Sequence, residues 1–392
     1  MQLIKDLNNK PISAIPGRLP TNLICFSHLR WDFVFQRPQH ILTRLSESTE
    51  LFYIEEPVFL PGQTTPHYVY LKRGKHITIV KPQLPEGLGP KESKDIEIEL
   101  FKDFMAGHQM ADYAFWYYTP MALEFSRGYR PELTVFDCMD ELSAFKFAPE
   151  SIKLLEKELL KKADIVFTGG QSLYEAKKNQ HQNIYAFPSS IDKAHFAQAR
   201  TLKANKKDRK QLGFYGVIDE RFDIGLIKDM AKMRPEWDII LVGPVVKIDP
   251  DTLPQNSNIY YTGSKTYAEL PTLMAGWDLA LIPFMLNEST RYISPTKTPE
   301  YLAAGLPVVS SAIKDVVHPY GKLGFVSIGT NAADFVAKAE IELNRSNKKE
   351  WLQKVDFFLA QNSWDQTCEQ MTEKMKAVLA PAPAVYNSLI QS

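Results

Sequence analysis

The segment from Ser294 to Val309 holds residue types that suit a charged ligand. Its sequence, SPTKTPEYLAAGLPVV, predicts a helix that carries Glu300 in its first turn and ends at Gly305. The free N–H groups of a helix N-terminus suit a diphosphate, and Thr296 and Lys297 lie beside them. A carboxylate at this point can accept two hydrogen bonds from the vicinal hydroxyls of a ribose. The alternative is that Glu300 only complements the helix dipole.

A second turn can supply a cation for the same ligand. The run GVIDERFD, from Gly216 to Asp223, follows a strand-like segment and contains Arg221. The guanidinium fork of an arginine can grip two phosphate oxygens. We therefore predict that Gly216 and Arg221 contact the diphosphate. The alternative is an ordinary ion pair of Arg221 with Asp223 or Glu220.

A polar run in the first half of the chain also follows a strand-like segment. SHLRWD (27–32) leads into QRPQH (36–40), and together they are too polar for a core segment. An aromatic face can stack on a sugar ring while charged groups bind hydroxyls or phosphate. We predict a second ligand-binding wall here, formed by Arg30, Trp31, Asp32 and Arg37. His40, in the same run, has the alternative of a buried structural role.

The run DCMDE (137–141) again comes just after a strand-like segment. Asp140 could deprotonate a hydroxyl as a general base, or its charge could stabilise an oxocarbenium-like centre. The alternative is that Asp140 caps a helix. We predict Asp140 and His28 as catalytic residues, and Glu141 as a further residue of the second ligand-binding wall.

Metal-binding patterns are weak in this sequence. Asp249-Pro-Asp251 has a D-x-D form, but a proline between two aspartates is an ordinary turn composition. The eight histidines form neither HxxxH nor HExxH. The three cysteines, Cys25, Cys138 and Cys368, are too widely spaced for a metal knuckle or a disulfide framework. We expect no metal and no bound cofactor.

Composition narrows the class of protein. A chain of 392 residues exceeds the size at which one core keeps growing, so two domains are expected. Lys plus Arg equals Asp plus Glu at 46 each, which argues against a nucleic-acid-binding protein. The N-terminal run MQLIKDLNNK shows no signal-peptide pattern, and no apolar run approaches the roughly 20 residues that cross a bilayer. We expect a soluble, cytoplasmic protein.

Short apolar runs alternate with helical patterns along both halves of the chain. In the first half the strand candidates are 22–27, 51–55, 113–118, 133–137, 164–168 and 183–187, with an antiparallel pair over 66–83. In the second half they are 213–217, 237–243, 258–263, 277–284 and 306–311. Such alternation requires parallel sheets with both faces covered. We predict an α/β fold of two doubly wound, Rossmann-like domains that face a cleft.

The composition also indicates where the domains divide. The run 203–210 is basic and lacks apolar periodicity, so we interpret it as a linker between a domain over 1–202 and a domain over 211–360. Ser363 is a candidate N-cap for a last helix, over about 363–380, that joins the first domain. The end of the chain, from residue 380, is too rich in Pro and Ala to continue that helix.

Several of these motifs together resemble a known family. E-x-x-A-x-G-x-P-V-V from Glu300, after D-x-x-x-x-P at 278–283, is similar to the donor-domain signature of family 4-like GT-B glycosyltransferases. FPSSID at 187–192, followed by Phe196, is similar to the family's step at the end of the first domain. The runs 27–45, 55–57 and 137–145 resemble a bacterial subgroup that serves capsule, teichuronic acid and exopolysaccharide assembly. The resemblance covers most of residues 20–380.

The resemblance implies an enzyme that moves a sugar from a nucleotide diphosphate sugar to an acceptor. Glu300 would bind the ribose, and the loop before it would hold the sugar and the phosphates. The family usually transfers with retention and without metal, and UDP is the first candidate nucleotide. The implied acceptor is a glycan or a polyprenyl-diphosphate-linked glycan, which would fit peripheral association with the inner face of the membrane.

Two positions depart from the family pattern. The E-x7-E pair would place a Glu at position 292, where Tyr292 stands, so Glu288 is the candidate replacement in donor binding. The G-R-x-x-x-x-K phosphate clamp is also altered, which leaves Arg221 as its cation. Two alternatives to a transferase therefore stay open: a nucleotide-sugar epimerase of the same architecture, and an inactive GT-B scaffold that only binds.

Overall fold

The computed structural model describes residues 17–108, 112–146, 148–202 and 208–380. Within these ranges the chain forms two sheets, one in each half, with helices on both faces. Nearly all strand pairs are parallel, as predicted from the alternation of short apolar runs with helices.

Strands and helices alternate through most of the first half, but four strands between residues 50 and 85 follow one another without a helix. Its strands are β1 (Asn22–Ser27), β2 (Glu50–Glu55), β3 (Val58–Leu60), β4 (His67–Lys72), β5 (Ile77–Pro85), β6 (Tyr113–Tyr117), β7 (Leu133–Cys138), β8 (Ile165–Thr168) and β9 (Ile184–Ala186). Its helices are α1 (Arg37–Leu45), α2 (Pro90–Gly107), α3 (Leu123–Ser126), α4 (Ile152–Lys162), α5 (Gln171–Lys177) and α6 (Lys193–Ala197). The strand order is β3-β5-β2-β1-β6-β7-β8-β9, and β4 pairs antiparallel with β5 as predicted.

The same alternation builds the second half. Its strands are β10 (Gln211–Tyr215), β11 (Asp238–Val242), β12 (Ile259–Tyr261), β13 (Leu279–Ile282), β14 (Val308–Ser310) and β15 (Ser327–Ile328). The helices are α7 (Ile224–Met233), α8 (Leu270–Met274), α9 (Lys297–Ala303), α10 (Lys314–Val316), α11 (Ala332–Leu343), α12 (Lys348–Leu359) and α13 (Trp364–Leu379). The strands are all parallel, in the order β12-β11-β10-β13-β14-β15.

Burial on both faces explains why the central strands are nearly continuous apolar runs. In β1, Leu23 and Cys25 belong to the core on one face of the first sheet, whereas Ile24 and Phe26 belong to the core on the other face. Successive side chains of a strand point to opposite faces, so a central strand between two helical layers needs apolar residues at every position.

Some elements differ from the sequence-based expectation. Residues 267–274 form a 3₁₀ turn (Tyr267–Glu269) followed by α8, and not one continuous helix. Strands β3 and β15 have three and two residues, too short to show an alternating pattern. Helix α11 is present in the structure but was not predicted, although its buried Phe335, Val336 and Ala339 have helical spacing.

The last helix returns to the first sheet. Trp364, Cys368, Met371 and Met375 of α13 lie in the same core as β1 and α1. His40 of α1 stacks on Trp364, with ring centroids 4.5 Å apart and planes 9° apart, so its alternative of a buried structural role is the one observed.

The two halves are connected near residues 191 and 363. The predicted cap is present, because the side chain of Ser363 accepts a hydrogen bond from the N–H of Gln366. Ile191 forms an isolated parallel bridge with Ser363, and its N–H donates to the carbonyl of Asn362 over 3.1 Å. Ile191 and Phe196 pack in the core of the second half. The chain therefore leaves the core of the first sheet before residue 202, where the first domain was predicted to end.

Two sequence-based expectations fall on residues that the structure does not describe. Residues 203–207 of the predicted linker, 203–210, lie outside the described residues, and 208–210 lead directly into β10. The tail over 381–392 also lies outside the described residues.

We predict that Met371→Ala destabilises the protein by about 2–5 kcal/mol, because the fully buried side chain leaves a cavity between α13 and the first sheet. Gln370→Ala on the exposed face of the same helix is the control and should change the free energy of unfolding by less than about 0.5 kcal/mol. Urea unfolding measures both. Equal effects would show that α13 does not stabilise the first half through this contact.

Candidate active site

A cavity of about 150 Å³ opens where the carboxyl edges of the two sheets face each other. The first half contributes Val34–Arg37 after β1 and Met139 and Asp140 after β7, and the second half contributes the loops after β10 and β13. Strands β1 and β10 are the points at which the strand order of each sheet reverses. Ligands of open α/β sheets bind outside the carboxyl ends of strands at such points.

Three glycines line the carboxyl edge of the second sheet. Gly216, Gly243 and Gly263 follow β10, β11 and β12, with φ angles of 136°, 142° and 69°. The N–H of Gly243 donates to the carbonyl of Gly263 over 2.9 Å. A Cβ atom at Gly216 would lie 2.2 Å from Cε of Lys297, so the absence of a side chain here makes room for that lysine.

Glu300 and Lys297 lie one helical turn apart in α9 and both line the cavity. The carboxylate of Glu300 is buried and accepts a hydrogen bond from the hydroxyl of Tyr215. Burial raises the pKa of Glu300 to about 7. Burial, helped by the positive charge of Arg221, lowers the pKa of Lys297 to about 8. One wall therefore holds an acceptor and a cation side by side.

Arg221 also lines the cavity, in the loop after β10. Its guanidinium makes a two-pronged ion pair with Asp219, at 3.0 Å from Nε to Oδ1 and 2.6 Å from Nη2 to Oδ2. An ion pair is thus present, as in the alternative interpretation, but its partner is neither Asp223 nor Glu220. Asp223 instead caps α7 by accepting from the N–H of Leu226.

An aromatic ring of the first half lies against cations of the second. The guanidinium carbon of Arg221 is 5.5 Å from the ring centroid of Phe145, and Nζ of Lys247 is 5.4 Å from the same centroid. Cations within about 6 Å of a ring face are attracted by its quadrupole. These contacts join the two halves at the edge of the cleft.

Asp140 lines the cavity from the first half. Burial raises its pKa to about 6, and the positive charge of Arg221 opposes that effect. The 3₁₀ turn that follows, Leu142–Ala144, has no side-chain cap, so the helix-capping alternative is not observed. At neutral pH Asp140 is mostly ionised and can accept a proton.

Two residues of the predicted second wall are held by neighbours in the first sheet. Arg30 pairs with the buried Glu55 at 3.2 Å and donates to the carbonyl of Pro57 at 3.1 Å. Asp32 pairs with Arg73 at 2.7 Å. Neither lines the cavity, and both side chains are paired with groups distant in sequence. The predicted contacts of Arg30 and Asp32 with a ligand stay predictions.

Trp31, Glu141 and Glu288 are also outside the cavity. The ring of Trp31 packs edge-on against Tyr53, with centroids 4.9 Å apart, and is partly buried against the core of the first sheet. Its contact with a sugar ring stays a prediction. Glu141 forms an ion pair of 2.8 Å with the buried Lys177. Glu288 has a 75% exposed side chain and pairs with Arg291 at 3.6 Å, and its part in donor binding stays a prediction.

Arg37 is the residue of the predicted second wall that does line the cavity. Its side chain is 3% exposed, pairs with the fully buried Asp137 at 2.8 Å, and donates to the carbonyl of Phe187 at 2.7 Å. The guanidinium therefore braces the floor of the cleft. A direct contact of Arg37 with a ligand stays a prediction.

His28 lies beside the cleft and is partly buried. Burial lowers its pKa to about 4, and the positive charge of Lys247 adds to the effect. The imidazole is therefore neutral at physiological pH. His28 is not among the residues that line the cavity, and its catalytic role stays a prediction.

The cavity also holds residues that the sequence analysis does not single out. Tyr215 and Tyr267 line it, and Phe35 from the first half lies 4.5 Å from Tyr267, ring centroid to ring centroid. Aromatic residues within strands and turns have the same sequence signal as core residues. Asp219 pairs with Arg221 but does not line the cavity, and it could have been found from the sequence because it lies two residues before the predicted cation.

In the part of the chain that the structure describes, no group of three or more His, Cys, Asp or Glu side chains could hold a metal ion. Asp249 accepts a hydrogen bond from the N–H of Asp251 over 3.0 Å, which is the geometry of a turn. Over the same described ranges, no helix is both long enough and apolar enough to cross a membrane.

Two doubly wound parallel sheets that face each other across such a cavity form the GT-B fold, which confirms the predicted fold class. Solved structures agree. A structure described as "Trehalose-6-phosphate from E. coli bound with UDP-2-fluoro glucose" superimposes with a TM-score of 0.64 and 13% identity, over 91% of this chain and 99% of that one. Anabaena Alr3699/HepE, in complex with UDP and glucose, gives 0.62 and 13%, over 91% and 100%.

Sequence comparison points in the same direction. The chain is 24% identical, over 264 residues, to the putative teichuronic acid biosynthesis glycosyltransferase TuaH of Bacillus subtilis strain 168. The match covers 59% of this chain and 64% of that relative, which is less than two thirds of its length. No model of a protein family matches the chain. The predicted resemblance to family 4-like GT-B glycosyltransferases is confirmed.

We predict that Arg37→Met lowers the free energy of unfolding by about 3–5 kcal/mol, because it leaves the fully buried Asp137 without its cation. The double variant Arg37→Met with Asp137→Leu should recover much of that loss, since it removes the unpaired charge as well. Urea unfolding of both variants checks this. A single variant as stable as the wild type would contradict a bracing role.

Proposed function

We propose that this chain is a glycosyltransferase that takes a sugar from a nucleotide diphosphate sugar and transfers it to a glycan. The observation that carries the proposal is the meeting of Glu300, Lys297 and Arg221 on one wall of the cleft with Asp140 on the other. The similarity to TuaH and to UDP-bound GT-B structures supports the same reaction class.

The second half would bind the donor. Glu300 would accept hydrogen bonds from the ribose hydroxyls, because a buried carboxylate is a strong acceptor for a vicinal diol. Lys297 and Arg221 would neutralise the diphosphate, and Gly216, with no side chain, would let it approach the backbone. Thr296 lines the cavity next to Lys297 and would contact the phosphates or the sugar. Two protein cations at this place would make a metal ion unnecessary.

The first half would bind the acceptor. Asp140 would take the proton of the attacking hydroxyl or stabilise positive charge at the anomeric carbon. Retention at that carbon is carried over from the family resemblance. Contact between the halves would exclude water, which otherwise hydrolyses the donor.

We propose UDP as the nucleotide, because the two structural neighbours above were solved with UDP or a UDP sugar. We propose a glycan or a polyprenyl-diphosphate-linked glycan of a bacterial surface polysaccharide as the acceptor, in keeping with the teichuronic acid assignment of the relative. A cytoplasmic enzyme at the inner face of the membrane would meet both substrates.

A thermal-shift panel of nucleoside diphosphates and their sugars tests donor binding, and transfer assays with the stabilising donor test the reaction. Stabilisation by one nucleotide, with donor consumed only when an acceptor glycan is added, is the expected result. Turnover of the donor without acceptor would instead favour the epimerase. Binding without any transfer would favour an inactive scaffold, an alternative raised by Tyr292 at the family's Glu position.

We predict that Arg221→Ala weakens binding of the UDP sugar at least tenfold, equivalent to about 1.4 kcal/mol, because a phosphate partner is lost. Arg345→Ala is a closely matched control. Arg345 is 21% exposed against 22% for Arg221, pairs with a buried carboxylate, and lies 5.5 Å from an aromatic centroid, but outside the cavity. Calorimetry measures affinity and urea unfolding measures stability. Equal affinities for the two variants would rule out Arg221 as a phosphate ligand.

We predict that Asp140→Asn lowers kcat by roughly 10²–10⁴ and leaves the free energy of unfolding nearly unchanged. In the wild type, kcat should fall as the pH drops through about 6, because the raised pKa makes the ionised form of Asp140 disappear there. Steady-state rates between about pH 5 and pH 8 measure both effects. Near-normal turnover by the variant would remove Asp140 from the mechanism.

A further inference from the structure

Tyr215 ends strand β10 at the point where that strand meets the cavity. Its hydroxyl donates a hydrogen bond to Oε2 of Glu300. We propose that Tyr215 is a positioning residue for donor binding, whose hydroxyl holds the Glu300 carboxylate in place as a hydrogen-bond acceptor. This inference rests on the proposed function, because it assigns Glu300 to the ribose.

The backbone fixes the direction of the Tyr215 ring. The N–H of Tyr215 donates to the hydroxyl of Tyr301 over 2.9 Å, and the two rings meet edge-on at 88° with centroids 5.2 Å apart. Tyr301 is fully buried in α9, directly after Glu300. Two hydrogen bonds therefore join β10 to α9 next to the carboxylate, one from the Tyr215 N–H to Tyr301 and one from the Tyr215 hydroxyl to Glu300. They preorganise the hydroxyl of Tyr215 to meet Oε2.

The hydrogen bond leaves the carboxylate free to accept more. A carboxylate has two oxygens and about four lone-pair sites. Tyr215 uses one of them at Oε2, so Oε1 and the second site of Oε2 remain for a vicinal diol. A carboxyl group that rotates freely would have to be ordered when the donor binds, and preorganisation removes that cost.

The hydrogen bond from Tyr215 also affects the protonation state of Glu300. Burial raises its pKa, whereas the hydroxyl of Tyr215 and the positive charge of Lys297 both lower it. The other titratable groups that face it are the hydroxyls of Tyr267 and Tyr301, and Arg221 lies beyond Lys297. Because the pKa is raised to about 7, the ionised form is lost as the pH falls through that value. Without the Tyr215 hydroxyl this loss would begin at a higher pH.

The test compares Tyr215→Phe with Tyr261→Phe. Tyr261 is a half-buried tyrosine of the same sheet whose hydroxyl donates to the carbonyl of Pro254 over 3.1 Å, and it does not line the cavity. Each variant therefore loses one hydroxyl and one hydrogen bond. NMR of protein labelled with ¹³C at the Glu carboxyl carbons follows the titration of Glu300 directly, and Glu300→Gln identifies its signal. Calorimetry with UDP-glucose follows donor affinity over the same pH range.

We expect Tyr215→Phe to raise the pKa of Glu300 by about one unit. The affinity for UDP-glucose should then fall at least fivefold at pH 7 and recover most of that loss near pH 9, because the carboxylate is again ionised there. The difference that remains near pH 9 is the cost of ordering a carboxylate that Tyr215 no longer holds. A nucleotide sugar has no terminal phosphate, so the charge of its diphosphate does not titrate in this range. Tyr261→Phe should match the wild type in both measurements, and Glu300→Gln should bind weakly at every pH.

The outcomes separate the two proposals. An unchanged titration of Glu300 in Tyr215→Phe would overturn the role of Tyr215. A shifted titration of Glu300 together with wild-type donor affinity at every pH would also overturn that role, because the hydrogen bond from Tyr215 would then have no effect on donor binding. A wild-type protein that binds no member of the nucleotide-sugar panel would overturn the proposed function itself, and with it the part of Tyr215 in donor binding.

Discussion

The cavity between the two sheets takes four ionisable side chains largely out of water. Glu300 and Lys297 come from α9, Arg221 from the loop after β10, and Asp140 from the first half. Removing a charge from water is costly unless a partner replaces the hydration. The structure compensates with the Tyr215 hydroxyl at Glu300, with Asp219 at Arg221, and with two aromatic rings near Lys297. These compensations fix where each charged group can lie.

The sheets supply the positions that this arrangement needs. In a parallel sheet every strand ends at the same edge, so loops far apart in sequence meet there. Residues 216–221 and 293–300 are separated by two α-helices and three strands, yet β10 and β13 are neighbours and bring them together. The first sheet does the same for the loops after β1 and β7. The cleft is a direct result of the strand order.

Residues whose position depends on a local pattern can be located from the sequence. Gly216, Arg221, Lys297 and Glu300 follow strands or open a helix, so the alternation of elements places them at the sheet edge. Arg30 is different, because its partner Glu55 is 25 residues away and no spacing shows that the pair exists. A polar loop that binds a ligand and a polar loop that binds its own sheet have the same composition.

The aromatic residues of the cavity could not be predicted from the sequence for a related reason. Tyr215 ends the apolar strand β10, so its sequence context is that of a core residue, and only the hydrogen bond to Glu300 separates it from one. Tyr292 stands where the family has a Glu and packs against the core of the first sheet. A side chain at one sheet edge can thus bind a ligand, brace a neighbour or join the core, and its partners in space decide which.

The bridge between Ile191 and Ser363 limits how the halves of the molecule can move. The polypeptide passes from one half to the other at both points, and the two passages run side by side, joined by the hydrogen bond from Ile191 to Asn362. The backbone connections between the halves are therefore adjacent in space, and any rotation of one half relative to the other would take place there. Rotation at these passages would change the width of the opening and also the separation of Asp140 from Arg221, whose positive charge acts on the pKa of Asp140 across the cleft.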